Sequence, residues 1–165
     1  MAMLQCEIVT PEKVLFSGEA TMVEAPSVGG SFGILPGHEA FSCLVMGGVA
    51  KVAQDAEHTQ FQEIAITHGF AQVYDDKVTI LVRNGCLVED IDIQEVSAYY
   101  EALQQRYDAM TDGERESARS YSDMMQGGEA MTQPETTEGL AAKATANTIL
   151  DDIEWCKIRI AARKK

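Results

Sequence analysis

Long apolar runs are absent from this chain of 165 residues. The longest apolar stretches, such as residues 41–46 and 78–82, fall well short of the roughly 20 residues that a membrane-spanning helix needs. The first residues also lack a basic segment followed by an apolar one, so we expect no secretory signal, and either a start in the cytoplasm or a transit peptide that has already been removed. Hydrophobic residues at 45% and charged residues at 24% are ordinary for a globular protein, and the length fits one domain or two small ones.

Basic residues are scarce, since 13 Lys and Arg stand against 26 Asp and Glu, for a formal net charge of −13. Nucleic-acid affinity comes mostly from basic side chains that replace counterions, so we expect no nucleic-acid partner. The C-terminal end differs, because Lys157, Arg159 and Arg163 lie in a stretch without acidic residues. This basic tip either meets an acidic partner or simply favours the negative end of a helix dipole.

Cysteines are few and scattered, at positions 6, 43, 86 and 156. They form no C-x-x-C pair and no His lies at zinc-finger spacing, so we predict reduced, structural thiols. The nearest approach to a metal cluster is His38, Glu39 and Cys43, whose side chains would not converge on a loop as they would at helical spacing. We therefore predict no metal site.

The sequence indicates no catalytic triad, because the histidines at positions 38, 58 and 68 have no partner that would complete one. The glycines of residues 29–33 precede an extended segment ending in Pro36, whereas a phosphate loop needs Gly-Lys-Ser/Thr and a helix. We predict a binding protein with no catalytic residue.

Residues 1–88 contain short β-prone runs at the spacing of a sandwich or barrel. The predicted strands are 4–10, 14–25, 33–35, 41–46, 49–54, 61–67, 70–74, 78–83 and 86–88. Turn residues at 47–48, 75–76 and 84–85 predict that neighbouring runs fold back as antiparallel hairpins. We predict an antiparallel β-sandwich.

Residues 89–165 change to a helical period. Asp92 and Glu95 predict a capping box at the start of the first helix, which either frays or runs on, largely solvated, past Met110. A long polar connection near 111–139, with Gly127-Gly128 and Pro134, separates it from a second apolar stripe. The predicted seam of the two stripes includes Val96, Tyr100, Leu103, Ile149, Ile153 and Ile160. The fold class is then α+β, a sandwich followed by a two-helix antiparallel hairpin that is held by a few kcal/mol at most, since its seam buries little apolar area.

Two segments carry a family resemblance. Residues 9–18 read VTPEKVLFSG and residues 30–38 read GSFGILPGH. In order and spacing they resemble the epsilon subunit of bacterial rotary ATP synthases, with its V-x-P-E-x-x-x-(F/Y)-S-G opening and its G-x-(F/L)-G-I-(L/Y)-P-G-H loop. The resemblance extends through the β unit to about residue 88.

The resemblance implies a non-catalytic rotor subunit between the gamma shaft and the proteolipid c-ring, on the cytoplasmic face of the cell membrane and attached only through the complex. The turn of Gly30, Ser31, Phe32 and Gly33 would face the ring, and His38 and Cys43 would face gamma. The helices would fold against the sandwich or extend beside gamma and inhibit ATP hydrolysis. The tip with Lys157, Arg159 and Arg163 would then transiently contact the alpha/beta catalytic ring.

Some members of this family bind ATP through an (I/L)-D-x-x-R-A motif. The matching stretch here begins with Ile91 and Asp92, but Glu95 replaces the arginine. A carboxylate repels phosphate where a guanidinium would neutralise it, so we predict no ATP binding and no other cofactor. The alternative to the rotor subunit is an unrelated β-sandwich adaptor with a helical dimerisation arm through Tyr100 and Leu103; a small metal hydrolase ranks third.

Overall fold

The structure, a computed structural model, describes residues 2–118 and 137–164, with the side chains of all of these except residues 116, 117 and 137–143. Its contacts divide the chain into two units. One consists of Met1–Ile91 with Ala161–Lys165, and the other of Asp92–Ile160.

Ten strands make up the first part of the chain. They are β1 (Leu4–Val9), β2 (Val14–Ala20), β3 (Met22–Ser27), β4 (Gly30–Ile34), β5 (Phe41–Val45), β6 (Gly48–Ala53), β7 (Phe61–Ile66), β8 (Gly69–Tyr74), β9 (Lys77–Val82) and β10 (Gly85–Leu87). The predicted run 14–25 is two strands, because buried Thr21 interrupts it and donates its hydroxyl to the carbonyls of Ala53 at 3.1 Å and Asp55 at 2.6 Å.

The strands pair in the order β10-β7-β6-β3-β5-β8-β9-β1-β2, and β4 joins β3 beside this path. All pairs are antiparallel except β1 with β9, which is parallel. At the two ends of the path a Cβ on Gly85 would meet the end of the Leu15 side chain, which would have to move. Gly69 is more strictly restricted, because its Cβ would overlap the carbonyl oxygen of Leu81, a backbone atom.

One of the three predicted hairpin turns is confirmed. Asp75 and Asp76 have φ of 50° and 54° and connect β8 to its antiparallel partner β9, as a type I′ turn requires. The predictions at 47–48 and 84–85 are wrong, since β5 pairs with β8 and β3, and β10 pairs with β7. Turn residues permit the chain to reverse but do not select the strand that it joins.

The core follows from strand alternation, because successive side chains point to opposite faces. In β1 the residues Leu4, Cys6 and Ile8 are buried, and in β9 Val78 and Ile80 are buried. The rest of the core cluster is Phe16, Ala20, Val23, Ala25, Ile34, Val45, Ala50, Val52, Ile64, Ile66, Ala71, Val73 and Val82.

The described residues after the strands form three helices: α1 (Ile93–Asp108), α2 (Asp112–Ser117) and α3 (Thr137–Arg163). The predicted α+β class is confirmed, with helices after ten strands. The question whether the first helix runs on is answered, since it ends at Asp108 and α2 begins a few residues later with a full capping box of Thr111 and Glu114. Gly127-Gly128 and Pro134 of the predicted connection lie outside the described residues.

Candidate functional site

The hairpin of β3 and β4 carries the residues predicted to face the ring. Gly30 begins β4 with φ of +114°, and Ser27 donates its hydroxyl to the Gly30 carbonyl at 2.8 Å. Gly30, Ser31 and Gly33 are exposed, and Val28 at the tip is 73% exposed. Among the described strands β4 pairs only with β3, so the hairpin presents a backbone edge and little side chain.

Phe32, Phe41 and His38 form an aromatic cluster. The Phe32 and Phe41 rings meet edge to face with centroids 5.6 Å apart, and the His38 and Phe41 ring centroids are 4.9 Å apart. Phe41 and Phe32 also pack against the core. The structure therefore connects a residue predicted to face the ring with one predicted to face gamma, through Phe41, which the sequence patterns did not single out.

The loop 35–40 between β4 and β5 holds His38 by local bonds. The His38 N–H donates to the Leu35 carbonyl at 3.1 Å, and the ring Nδ1 donates to the Glu39 carbonyl at 2.8 Å. Gly37 has φ of +81°, and its N–H donates to Oδ1 of Asp76 at 2.6 Å. His38 is exposed, in agreement with a contact role.

Cys43 does not point the same way as the exposed residues of β5. It is half-buried and packs against the core, while its neighbour Leu44 is 42% exposed. Burial raises the pKa of the Cys43 thiol, which keeps it uncharged. The outward-facing residue next to Cys43 on β5 is therefore Leu44.

An apolar row crosses the outer face of five neighbouring strands. Leu44 lies opposite Phe70, Phe70 opposite Leu81, and the register continues from Leu81 to Val9 and from Val9 to Val14. Phe70 is 40% exposed, Leu81 49% and Val14 61%. These five residues, Leu44, Phe70, Leu81, Val9 and Val14, are called the apolar row below. Exposed apolar residues that adjoin across five strands make this row a candidate interaction surface.

The neighbouring row on the same face is polar. It runs from Ser42 to Gln72, Thr79, Glu7 and Ser17 in the same register. Glu7 forms an ion pair of 3.0 Å with Lys77. On this side the apolar row is therefore bounded by polar side chains, and Tyr74, which is 69% exposed, lies beyond them on β8.

A groove of about 490 Å³ lies beside β6 and β7, lined chiefly by amide and carboxyl side chains. Its Asp55 accepts hydrogen bonds from the Thr59 N–H at 2.9 Å, the Thr59 hydroxyl at 2.8 Å and the Gln60 N–H at 3.1 Å. Hydrogen bonds from the backbone and side chain of Thr59, followed by that of Gln60, lower the pKa of Asp55 from 3.8 to about 2. The Asp55 carboxylate therefore stabilises the loop between Asp55 and Gln60.

The predicted helix seam is largely buried. Val96, Leu103, Ile149 and Ile153 are buried, as are Ala146 and Cys156, while Tyr100 and Ile160 are half-buried. The helices thus have apolar stripes where the spacing predicts them.

The three basic residues of the C-terminal tip differ in exposure and in their contacts. Lys157 and Arg163 are exposed. The Arg159 guanidinium lies 5.1 Å from the centre of the Trp155 ring and donates to Cys156 Sγ at 3.5 Å, and its buried Nε has no hydrogen-bond partner among the described residues. Arg159 is engaged within its own helix.

The residues of the degraded ATP motif have structural roles. Ile91 is buried. Asp92 caps α1 by accepting from the N–H groups of Gln94 at 2.8 Å and Glu95 at 3.2 Å. The predicted capping box is only half formed within the described chain, since Glu95 is exposed and only the Asp92 side chain serves as the cap.

Within residues 2–118 and 137–164, no three His, Cys, Asp or Glu side chains are grouped so that they could hold a metal ion. No helix in the same residues is both long and apolar enough to span a membrane.

The first part of the chain matches a known protein family. The family described as the ATP synthase delta/epsilon chain, β-sandwich domain, matches residues 3–87, which contain all ten strands. The ATP synthase epsilon chain of Desulfosudis oleivorans is 38% identical over 108 residues, which are 64% of this chain and 78% of that relative. The epsilon chain of Nitratidesulfovibrio vulgaris (strain DP4) is 38% identical over 104 residues, covering 62% and 75%.

A solved structure supports the fold alone. The OSCP/F1/c-ring part of the mitochondrial ATP synthase of Euglena gracilis, in rotational state 1, contains a chain with a TM-score of 0.55 and 20% identity. The match covers 68% of this chain and 70% of that chain. The resemblance carried by residues 9–18 and 30–38 is confirmed by the family match and the bacterial relatives, and the chain belongs to the ATP synthase delta/epsilon chain family.

Proposed function

We propose that this chain is a non-catalytic rotor subunit of an ATP synthase, which couples the gamma shaft to the proteolipid c-ring. Family membership supports the complex, and the apolar row supports a permanent protein partner. A row of exposed Leu, Phe and Val is costly in water and gains free energy when a partner covers it. This row is the observation that carries the proposal.

We assign the apolar row and His38 to the gamma side. A shaft that stays bound through rotation needs a dry, apolar contact of the kind found in the cores of stable interfaces. Leu44 supplies this contact. Its neighbour Cys43, which the resemblance placed at gamma, lies on the same strand but packs against the core.

We assign the β3–β4 hairpin, with Gly30, Ser31, Phe32 and Gly33, to the ring side. Its small residues leave backbone groups accessible, and these suit hydrogen bonds to the polar loops of a ring. Phe32 anchors the hairpin to Phe41, so a load on the hairpin passes into the packed core, which resists deformation.

We assign inhibition of ATP hydrolysis to the helices of a domain 89–165, separate from a sandwich domain 1–88. The seam is weakest at small Ala146 and at half-buried Tyr100 and Ile160, which bury little area compared with its buried aliphatic residues. Helix α3 has 27 residues and spans about 40 Å at 1.5 Å per residue, a length that reaches from a rotor base toward the alpha/beta ring. Lys157 and Arg163 would meet acidic surface there.

The helical hairpin is proposed to inhibit ATP hydrolysis without binding ATP itself. The Asp92 carboxylate is occupied by the cap, and Glu95 brings a second negative charge where phosphate would lie. The protein would sit on the cytoplasmic face of the cell membrane as a peripheral subunit.

Co-purification tests the proposal. The tagged full chain, expressed in cells that carry its ATP synthase, should be recovered from membranes together with gamma and the c-ring. Recovery without either protein, accompanied by self-association in sedimentation that a Leu103→Ser change abolishes, would favour the adaptor with a dimerisation arm instead.

A further inference from the structure

The turn between β8 and β9 contacts a loop that is distant in sequence. Asp76 is held on its main chain, because its carbonyl accepts from the Gln5 N–H of β1 at 2.8 Å. Its side-chain Oδ1 accepts from the Gly37 N–H at 2.6 Å. Asp76 thus connects the loop 35–40 to the end of the β9 and β1 pair.

This bond acts at the glycine of the loop. The loop 35–40 lies between β4 and β5 and contains no helix or strand. Gly37 adopts φ of +81°, but glycine also adopts other φ values at little cost. A short hydrogen bond to a carboxylate is about twice as strong as one between neutral groups, so Asp76 selects this conformation.

The selected conformation determines where His38 stands. His38 follows Gly37 directly, and its ring lies 4.9 Å from the Phe41 ring. If Gly37 rotates, the His38 main chain and ring rotate with it. A loop that is ordered before binding spares the complex the entropy of ordering it afterwards.

We infer that Asp76 is a positioning residue, which presets the loop 35–40 and His38 for binding to the gamma shaft. This inference rests on the proposed function. Asp76 acts through Gly37 and need not touch the shaft itself.

The turn provides a matched control. Asp75→Gly and Asp76→Gly each remove one negative charge and each place glycine at a positive φ, near 50°, which glycine accepts without strain. Asp75 makes no bond to the loop 35–40 in the described part of the chain. Asp76→Asn keeps an Oδ1 acceptor and tolerates the same backbone conformation, so it serves as the rescue variant.

The experiment measures two quantities on the full chain: hydrogen exchange of the Gly37 amide, and the Kd for purified gamma. Asp76→Gly should speed Gly37 exchange about tenfold and raise the Kd about three- to tenfold, as loss of a charged hydrogen bond predicts. Asp75→Gly should stay within about twofold of the wild type for both quantities, and Asp76→Asn, which keeps a neutral acceptor, should fall between the wild type and Asp76→Gly.

The outcomes separate this inference from the proposed function. Equal Kd values for Asp76→Gly and Asp75→Gly, with tight binding by the wild type, would overturn the inference alone. Absence of binding by the wild type would overturn the proposed function and the role of Asp76 with it. Unchanged Gly37 exchange in Asp76→Gly would overturn the inference whatever gamma does.

Discussion

The ring of Phe32 meets the ring of Phe41 edge to face, with centroids 5.6 Å apart, and thereby fixes the β3–β4 hairpin to β5. Phe41 also contacts the His38 ring and the core. One side chain therefore supports both the surface proposed for the ring and the loop proposed for the shaft.

We predict that Phe41→Ala lowers the free energy of unfolding by about 2–4 kcal/mol, because it leaves a cavity beside Phe32 and the core. Phe70→Ala removes the same atoms from an exposed position and should cost less than about 1 kcal/mol. Urea denaturation of both variants measures the difference. Equal losses would contradict the supporting role of Phe41.

We predict that Gly69→Ala destabilises the sheet by about 3 kcal/mol or more, since the new Cβ overlaps the Leu81 carbonyl and approaches Val82 to 2.9 Å. Gly33→Ala, also on a strand, meets no atom within 4 Å and should be nearly neutral. Thermal unfolding of the two variants decides the point. A neutral Gly69→Ala would show that β8 and β9 pair less closely than described here.

We predict that Asp55 titrates at about pH 2, well below 3.8, because Thr59 and Gln60 donate hydrogen bonds to its ionised form. The folded-state pKa is lowered, so the loop gains stability above the unfolded pKa of 3.8 and loses it as the pH falls toward 2. Thr59→Ala removes the hydroxyl donor and should raise the pKa part of the way. A carboxyl NMR titration that gives the same midpoint for both proteins would contradict this explanation.

The sequence predicted what local chemistry determines. Alternating apolar residues located the strands, since burial on one face has a period of two, and Asp92 was identified as a helix cap because capping involves only neighbouring residues. The same local signal, Thr111 followed by Glu114, marks the start of α2. The apolar stripe alone did not predict this separate helix.

Long-range register could not be predicted in this way. The apolar row depends on β5 pairing with β8, and β1 with β9, across segments far apart in sequence. The turns at 47–48 and 84–85 suggested local hairpins, whereas burial selected other partners for β5 and β10. The bond from Gly37 to Asp76 spans 39 residues and carries no sequence signal.

We predict that a chain ending before Gly139 raises ATP hydrolysis by an assembled synthase, because it lacks helix α3, which we propose obstructs hydrolysis. The double change Lys157→Ala and Arg163→Ala should give a smaller rise, since it removes exposed charge and keeps the helix. Arg159→Ala should act through helix stability, because Arg159 packs on Trp155. The measurement is ATPase rate at equal subunit occupancy, and unchanged rates would remove the inhibitory role while leaving coupling intact.

The central claim is that the apolar row binds the gamma shaft, and one pair of substitutions on β8 tests it most directly. Phe70→Asp and Gln72→Asp add the same charge to exposed outer-face positions of the same strand, in the apolar row and in the polar row beside it. We predict that Phe70→Asp raises the Kd for gamma by about a hundredfold or more, as expected for a buried anchor, while Gln72→Asp changes it less than about threefold. Equal Kd values for the two variants, with both proteins folded, would contradict the claim.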